Sequence, residues 1–291
     1  MTTNRDVLVD AERRLQRAEI DNPAVDAAEI LAFVLGVNRN RVHLHDDIDD
    51  ENRIAFERLL AKRLNRIPLQ HLTGVAPFRH IELAVGPGVF IPRPETELVT
   101  EAAIRHLKEC IDPIAVDLCA GSGAIAISLA FEVPGTRVTA VELSADAFPW
   151  LTENVQRIHT KLPVTVVNAD ATDEQIPELF ELIGMCDVVT CNPPYIPAGM
   201  VPRDPEVRDH EPEMALYGGN DGLDVVRGIL GNAATLLKSG GLLVIEHADV
   251  QGPDSDTGSV VEVVKNSGFF ANVNDRQDYN QRPRFTVATR I

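Results

Sequence analysis

The feature that most constrains the fold is a regular alternation of short apolar runs and helical segments that begins at residue 114. The runs have the length and composition of buried strands, and they are Ile114–Leu118, Arg137–Glu142, Val164–Val167, Cys186–Val189 and Leu242–Glu246. Segments with helical patterning separate most of them. This alternation predicts a mostly parallel sheet whose strands are joined by right-handed crossovers.

The last two strands of this region are connected differently. Phe269–Val273 and Arg284–Thr289 have strand-like composition, and no helical segment lies between them. The pair should therefore add an antiparallel strand to the sheet. The predicted fold class is α/β, with a seven-stranded, mostly parallel sheet that contains one antiparallel strand.

The chain before this region divides into two further parts. Apolar residues recur at helical spacing through the first 67 residues, which predicts a small helical bundle over 1–67. Residues 68–92 contain a turn-rich linker, Pro68–Gly74, and a weakly alternating stretch around Gly86-Pro87-Gly88 that predicts a β-hairpin. Residues 93–291 form the third part, which carries the sheet.

The net charge of −17 is unevenly distributed between these parts. Residues 1–66 contain 11 Lys/Arg and 13 Asp/Glu, whereas the remainder contains 16 and 31. A body this acidic repels phosphate backbones, so we expect no stable binding of nucleic acid. Solubility alone is an equally good reason for the charge.

Composition also restricts the cellular compartment and the kinds of metal or disulfide site that we expect. The sequence has no apolar run of the ~18 residues that a membrane helix needs, and its first residues lack the apolar stretch of a signal peptide. The four cysteines show no C-x-x-C spacing. We therefore expect a cytoplasmic protein with reduced thiols, no membrane association and no zinc site.

A turn after the fourth strand carries the clearest functional signal. Asn192-Pro193-Pro194-Tyr195 follows that strand, and two prolines prevent the strand from continuing. The turn should therefore lie at the carboxyl edge of the sheet, where open α/β sheets bind ligands. Asn192 and the Pro193 carbonyl offer hydrogen-bond acceptors, and Tyr195 offers a flat face. Together they could hold a planar –NH2 group by both hydrogens.

The first strand is followed by a glycine turn that suggests a nucleotide-like cofactor. Gly121-Ser122-Gly123 leads into an apolar helix, but a lone G-x-G is a weak signal, and Ala126 in the third position leaves a dinucleotide possible. Glu142 ends the second strand, at the spacing expected for an acid that binds a ribose diol. Asp170 follows the third strand and could accept from an exocyclic amine.

An enzyme that transfers a hydride would not need the amide-binding groups of the Asn192 turn. A nucleoside donor next to a site that grips –NH2 instead suggests methyl transfer from S-adenosylmethionine to nitrogen. The glycines would allow the backbone to approach the methionine part of that cofactor closely.

Several motifs resemble those of known methyltransferases. Asp117–Gly123 resembles motif I of the class I S-adenosylmethionine-dependent enzymes, which have a Rossmann-like sheet, and Asn192–Tyr195 resembles the motif shared by enzymes that methylate adenine, cytosine-N4 or glutamine amides. Gln70–Gly74, Ile91–Glu97 and Glu246-His247 further resemble the release-factor glutamine N5-methyltransferases, the PrmC/HemK family. The helical N-terminal part is also similar, so the resemblance covers nearly the whole chain.

The resemblance implies a function and a set of site residues. Enzymes of this family methylate N5 of the glutamine in the Gly-Gly-Gln loop of class 1 peptide-chain release factors. It implies that Asn192, Pro193, Pro194 and Tyr195 hold the glutamine amide. It also implies that a larger set contacts S-adenosylmethionine, namely Cys119, Ala120, Gly121, Ser122, Gly123, Glu142, Asp170, Ala171 and Asn192.

The sequence departs from the family pattern in three places. Cys119 stands where family members often have glycine, and Ala171 stands where some have an aromatic residue near the adenine. Residues 251–258 look like a flexible surface insertion. None of these changes affects the Asn192 turn.

Other functions remain open at this level. An adenine-N6 methyltransferase acting on DNA or RNA would use the same turn on a flipped base, but it should carry a basic groove. A glutamine methyltransferase acting on a ribosomal protein would look the same at the turn. A non-catalytic cofactor-binding scaffold would not need an intact Asn192 turn. We expect His247 to be structural, and residues 1–67 to dock the protein substrate.

Overall fold

The computed structural model describes residues 3–44, 47–253, 255 and 258–291. The chain forms two compact units. The first comprises Met1–Val75 together with Pro202–His210, and the second comprises Ala76–Val201 and Glu211–Ile291. Among the described residues, no helix is long and apolar enough to cross a membrane.

The first unit is helical. Its α-helices are α1 (Asn4–Arg17), α2 (Pro23–Leu35), α3 (Asp50–Leu64), α4 (Leu69–Thr73) and α8 (Pro205–His210), with a 3-10 helix at Arg39–Leu44. A capping box between Thr3 and Asp6 begins α1, and Gly36 ends α2 in the left-handed conformation. Buried apolar side chains from α1, α2 and α3 form its core, among them Leu15, Leu31 and Phe56.

Helix α8 lies within the loop that follows the Asn192 turn in sequence, but it packs with the first unit through buried charges. Glu206 on α8 accepts from Arg63 at 2.7 Å and from Arg66 at 2.8 Å. Arg63 also pairs with Asp26 at 2.7 Å. Because Arg63 is buried and pairs with both Glu206 and Asp26, removing either carboxylate should destabilise the first unit.

Two local predictions for residues 68–92 were wrong. Pro68–Gly74, predicted as a linker, contains helix α4. The hairpin consists of β1 (Val75–Phe78) and β2 (Ile81–Ala84), so its turn is at Arg79-His80 and not at Gly86-Pro87-Gly88. The glycines have another use, because a Cβ at Gly86 would lie 2.6 Å from the Trp150 ring.

The second unit contains a seven-stranded sheet in the order β5-β4-β3-β6-β7-β9-β8. Its strands are β3 (Ile114–Leu118), β4 (Arg137–Glu142), β5 (Thr165–Asn168), β6 (Cys186–Cys191), β7 (Leu237–Glu246), β8 (Phe270–Gln277) and β9 (Pro283–Arg290). β9 runs antiparallel to both of its neighbours, β7 and β8, whereas the other neighbouring strands pair in parallel. The predicted fold class is therefore confirmed.

Helices cover both faces of this sheet. They are α5 (Thr96–Leu107), α6 (Ala124–Glu132), α7 (Phe148–Arg157), α9 (Glu213–Leu216), α10 (Asp224–Leu236) and α11 (Val260–Asn266), with 3-10 helices at Pro177–Leu182 and Asp249–Gln251. Successive strand residues enter opposite cores: Ala115 packs with α5 and α6, whereas Val116 packs with α10 and α11. Burial on both faces explains why the strands are continuous apolar runs.

Candidate active site

The candidate site lies where the strand order reverses. The chain adds β4 and β5 on one side of β3 and then returns to place β6 on its other side. Leu118 at the end of β3 is level with Cys191 at the end of β6. Cys119 and Asn192 therefore leave the sheet side by side, at the switch point where doubly wound folds bind ligands.

The glycine turn adopts backbone conformations that explain its sequence. Gly121 and Gly123 have φ of 57° and 88°, in the left-handed region that favours glycine. A Cβ at Gly123 would lie 2.8 Å from Leu151 and 2.9 Å from Ile127, so only glycine fits there. A Cβ at Gly121 would meet no heavy atom within 4 Å, so open space lies beside that backbone.

Cys119 also has a left-handed φ, of 60°. A residue with a Cβ is strained in this region, which glycine would adopt at no steric cost.

Glu142 reaches across the end of β4 to the glycine turn. Its Oε2 accepts from the Gly121 N–H and its Oε1 from the Ser144 N–H, both at 2.7 Å. Burial raises the pKa of Glu142, and these hydrogen bonds oppose the rise. Each carboxylate oxygen has a second lone pair, so both remain able to accept from a ribose hydroxyl.

Asp117 supports the turn from beneath, a role that the sequence analysis did not assign to it. It accepts from the Thr190 hydroxyl at 2.7 Å and from the Ala126 N–H, at the start of α6, at 3.2 Å. Burial raises its pKa to about 7, and the charge of Glu142 adds to the rise. The sequence did contain an indication of this role, because Asp117 lies inside a strand predicted to be buried and a buried acid needs a hydrogen-bond partner.

The two remaining predicted cofactor residues follow β5. One oxygen of Asp170, Oδ1, accepts from both the N–H and the hydroxyl of Thr172, at 2.8 and 2.7 Å. Ala171 is buried, and its carbonyl accepts from Asn232 at 2.8 Å. Asp170 is thereby held at the same edge of the sheet as Glu142.

Together these residues fit the nucleoside and methionine parts of S-adenosylmethionine. The open space beside Gly121, the acceptors of Glu142 and the fixed carboxylate of Asp170 all belong to loops at one sheet edge. The chemistry suits a ligand with a ribose diol and an exocyclic amine.

Two acceptors of the Asn192 turn are relevant to the predicted amide site. None of the hydrogen bonds among the described residues ends on the Pro193 carbonyl. The Asn192 amide donates from Nδ2 to the Thr96 hydroxyl at 3.5 Å, which leaves Oδ1 available. An acceptor pair of this kind can bind both hydrogens of a primary amide.

The rest of the turn is tightly braced. Ile196 pairs with Tyr217 as a β-bridge, and Gln251 donates to the Tyr195 carbonyl at 2.9 Å. A Cβ at Gly218 would lie 2.3 Å from the Pro194 carbonyl, and one at Gly222 would lie 2.2 Å from the Tyr195 carbonyl. Gly218 and Gly222, in the loop that follows the turn, therefore pack closely against its backbone.

Gln251 also corrects the predicted insertion over 251–258. This residue is buried and contacts the turn, so it does not belong to a surface loop. Positions 254, 256 and 257 of the predicted insertion lie outside the described residues.

Two further side chains near the turn have perturbed environments. Burial, and then the charge of Glu246, raise the pKa of Tyr195, so its hydroxyl stays protonated at neutral pH. His247 is fully buried, with Nε2 lying 3.1 Å from Asp275 Oδ1 and Nδ1 lying 2.9 Å from the Ala248 carbonyl. That enclosure agrees with a structural role for His247.

Two family models match parts of the chain. A family model described as the PrmC N-terminal domain matches residues 6–74, and one described as conserved hypothetical protein 95 matches residues 72–204. The fold of the second unit has counterparts among solved structures. A 16S rRNA N2 G1207 methyltransferase of T. thermophilus, in complex with AdoMet and guanosine, aligns with a TM-score of 0.51 at 20% identity, covering 75% of this chain and 50% of that one.

Closer relatives match along their whole length. The chain is 43% identical over 281 residues to a protein of Streptomyces coelicolor, which covers 96% of this chain and 95% of the relative. It is 44% identical over 292 residues to one of Mycolicibacterium smegmatis, which covers 100% and 99%. Both relatives are named release factor glutamine methyltransferase. With this identity across nearly the full length, the chain belongs to the release factor glutamine methyltransferase family.

Proposed function

We propose that the protein transfers a methyl group from S-adenosylmethionine to the side-chain amide nitrogen of the glutamine in the Gly-Gly-Gln motif of class 1 peptide-chain release factors. One observation carries the proposal. The Asn192 turn, which offers acceptors for a primary amide, leaves the sheet directly beside the glycine turn, because Leu118 and Cys191 are level. Methyl donor and amide would thus meet at one edge.

The residues of the turn address the main chemical difficulty. An amide nitrogen is a poor nucleophile, because its lone pair is delocalised into the carbonyl. Asn192 Oδ1 and the Pro193 carbonyl accept its two hydrogens and so favour the positive charge that develops on nitrogen. They also fix its direction of approach, which makes alignment a large part of the rate enhancement.

The balance of the reaction needs no base from the protein. The sulfonium of S-adenosylmethionine supplies an electrophilic methyl group. As the N–C bond forms, the S–C bond breaks and its electron pair stays on sulfur. The surplus proton on nitrogen then leaves to water, and the buried His247 takes no part.

The alternative substrates fit less well. DNA or RNA adenine would require a surface that attracts phosphate, whereas residues 67–291 contain 16 Lys/Arg against 31 Asp/Glu. A ribosomal-protein glutamine would satisfy the turn equally, but the relatives are named for release factors. Because release factors act in translation, we also place the reaction in the cytoplasm.

We further propose that the helical unit docks the protein substrate. Several of its apolar side chains are largely exposed, among them Phe33, Leu44 and Ile54. Single exposed apolar residues are normal on protein surfaces, so the stronger support is the near-neutral charge of residues 1–66, with 11 Lys/Arg and 13 Asp/Glu beside an acidic remainder. Reading a folded partner needs a surface of about 800 Å² per side, which a glutamine pocket cannot supply alone.

The test is mass spectrometry of a release factor after incubation with the protein and methyl-labelled S-adenosylmethionine. We expect one added methyl group on the glutamine of the Gly-Gly-Gln loop, and none when that glutamine is replaced by alanine. A label on another residue, or an unlabelled release factor beside a labelled ribosomal protein, would contradict the proposal.

A further inference from the structure

Three side chains from distant parts of the sequence meet behind the Asn192 turn. Thr96 begins α5, Glu246 ends β7, and Asn192 follows β6. Thr96 and Glu246 are 3% and 1% exposed. The Thr96 hydroxyl oxygen accepts from Asn192 Nδ2 at 3.5 Å. Thr96 also faces the Glu246 carboxyl, and hydrogen bonding from its hydroxyl lowers the pKa of that group.

The chemistry of the three groups fixes the direction of every hydrogen bond. While the Glu246 carboxyl is ionised it can only accept, so Thr96 donates its single O–H to Glu246. The Thr96 oxygen can then only accept from Asn192, which requires the –NH2 end of the Asn192 amide to face it. A flipped amide would set two oxygens against each other with no hydrogen between them.

We propose that Glu246 and Thr96 are positioning residues that hold the Asn192 amide with Oδ1 toward the substrate. This inference rests on the proposed function, in which Oδ1 accepts a hydrogen of the glutamine amide. Neither residue touches the reacting atoms. Their effect is to prevent Asn192 from presenting a donor where an acceptor is required.

The surroundings of Glu246 make the arrangement sensitive to pH. Burial raises the pKa of Glu246 to about 7. Among the charged groups that face it, Arg284 of β9 and Arg93 lower this pKa, whereas Glu95 raises it. Tyr195 also faces it and stays protonated. Glu246 Oε2 has no hydrogen-bond partner among the described residues. Protonation would turn Glu246 into a donor and release Thr96 from its fixed direction.

The first test is kinetic and uses a matched control. Thr96→Val keeps the shape of the side chain but removes the hydroxyl, and we expect kcat to fall about tenfold, with cofactor affinity and KM changed less than about twofold. Thr96→Ser should recover most of kcat. Thr100→Val is the control, because Thr100 is buried one turn later on α5 and bonds only the Thr96 carbonyl among the recorded contacts. An undiminished kcat in Thr96→Val, or an equal loss in Thr100→Val, would overturn the inference.

The closing test does not require activity. In 15N-labelled protein, the side-chain amide signal of Asn192 can be assigned by its loss in Asn192→Asp. We expect it to shift with pH through about 7 in the wild type, and to be insensitive in Glu246→Gln and Thr96→Val. A signal that does not titrate in the wild type, or that titrates unchanged in Glu246→Gln, would refute the positioning role even if the enzyme methylates release factors. A titrating signal in a protein without that activity would leave the positioning role standing and refute the proposed function.

Discussion

At the residue scale, Asn192 is the side chain on which the proposed reaction depends most. Asn192→Ala removes the Oδ1 acceptor but leaves the glycine turn and Glu142 in place. We expect turnover to fall by about 10²-fold or more, as for the loss of a preorganised polar contact. Titration calorimetry should show S-adenosylmethionine affinity within a few fold of the wild type, and full turnover would disprove the mechanism.

Glu142 should control the affinity for the cofactor. Glu142→Ala removes a charged acceptor, so S-adenosylmethionine binding should weaken by roughly 1.5–3 kcal/mol. The Gly121 N–H also loses its partner, and the melting temperature should therefore fall as well. Glu142→Gln, which keeps an acceptor, should lie between the two proteins in calorimetry. Unchanged affinity in both variants would mean that the ribose binds elsewhere.

Cys119 allows a test of backbone strain without any ligand. At its φ of 60°, a residue with a Cβ is disfavoured by about 1 kcal/mol relative to glycine. Cys119→Gly should therefore be more stable than Cys119→Ala by about that amount in urea unfolding, although both lose the thiol. Equal stability would show that the turn relaxes around the side chain.

The residues of the site differ in how readily they can be predicted from the sequence. Asn192 and the glycine turn could be predicted because both interrupt apolar strands, and β-strand ends meet at one edge. Thr96 and Glu246 lie 150 positions apart, and only the packing of α5 on the sheet brings them together. Periodicity carries no information about such a contact.

At the scale of elements, the same distinction explains the errors around the hairpin. Pro68 and Gly74 look like turn residues, but here they flank the five-residue helix α4, and Gly74 ends it with φ of 75°. The hairpin turn contains no glycine: Arg79 takes φ of 50° and is held by ion pairs to Glu132 and Glu101. Strand β3, in contrast, matched its apolar run residue for residue.

Helix α8 offers a prediction about stability. Burial disfavours the charged form of Glu206, but hydrogen bonds from neighbouring groups, Arg63 among them, outweigh it and lower its pKa to about 2. Glu206→Gln should cost about 1–3 kcal/mol of unfolding free energy at pH 7. The ordinary pKa is 4.5, so the contribution is complete above that pH and disappears as the pH falls toward 2.

Urea unfolding at several pH values would measure this difference. Asp209→Asn is a suitable control, because Asp209 lies on the same helix but is exposed and pairs with its neighbour Arg208. Its effect should stay within about 0.5 kcal/mol. A constant gap between wild type and Glu206→Gln down to pH 2 would contradict the assigned charge.

At the scale of the whole molecule, the two units predict a division of labour. A chain that lacks residues 1–67 and carries Glu206→Gln, so that no carboxylate is left without Arg63 and Arg66, should still bind S-adenosylmethionine and methylate a short Gly-Gly-Gln peptide. Its kcat/KM on an intact release factor should fall by tenfold or more, which corresponds to about 1.4 kcal/mol of transition-state binding. Equal efficiency on the intact protein would show that the helical unit is not a docking surface, and lost cofactor binding would show that it is needed for folding.

The assignment of Pro202–His210 to the helical unit has a consequence for how the protein can be recombined. The match to the PrmC N-terminal domain ends at residue 74, so it omits the segment that contributes α8. A chimera made at that boundary would replace the helices that carry Arg63 and Arg66 but keep Glu206, which would then lose both of these ion-pair partners. The two pieces should therefore be inherited and exchanged together, and the N-terminal domain is not a portable module on its own.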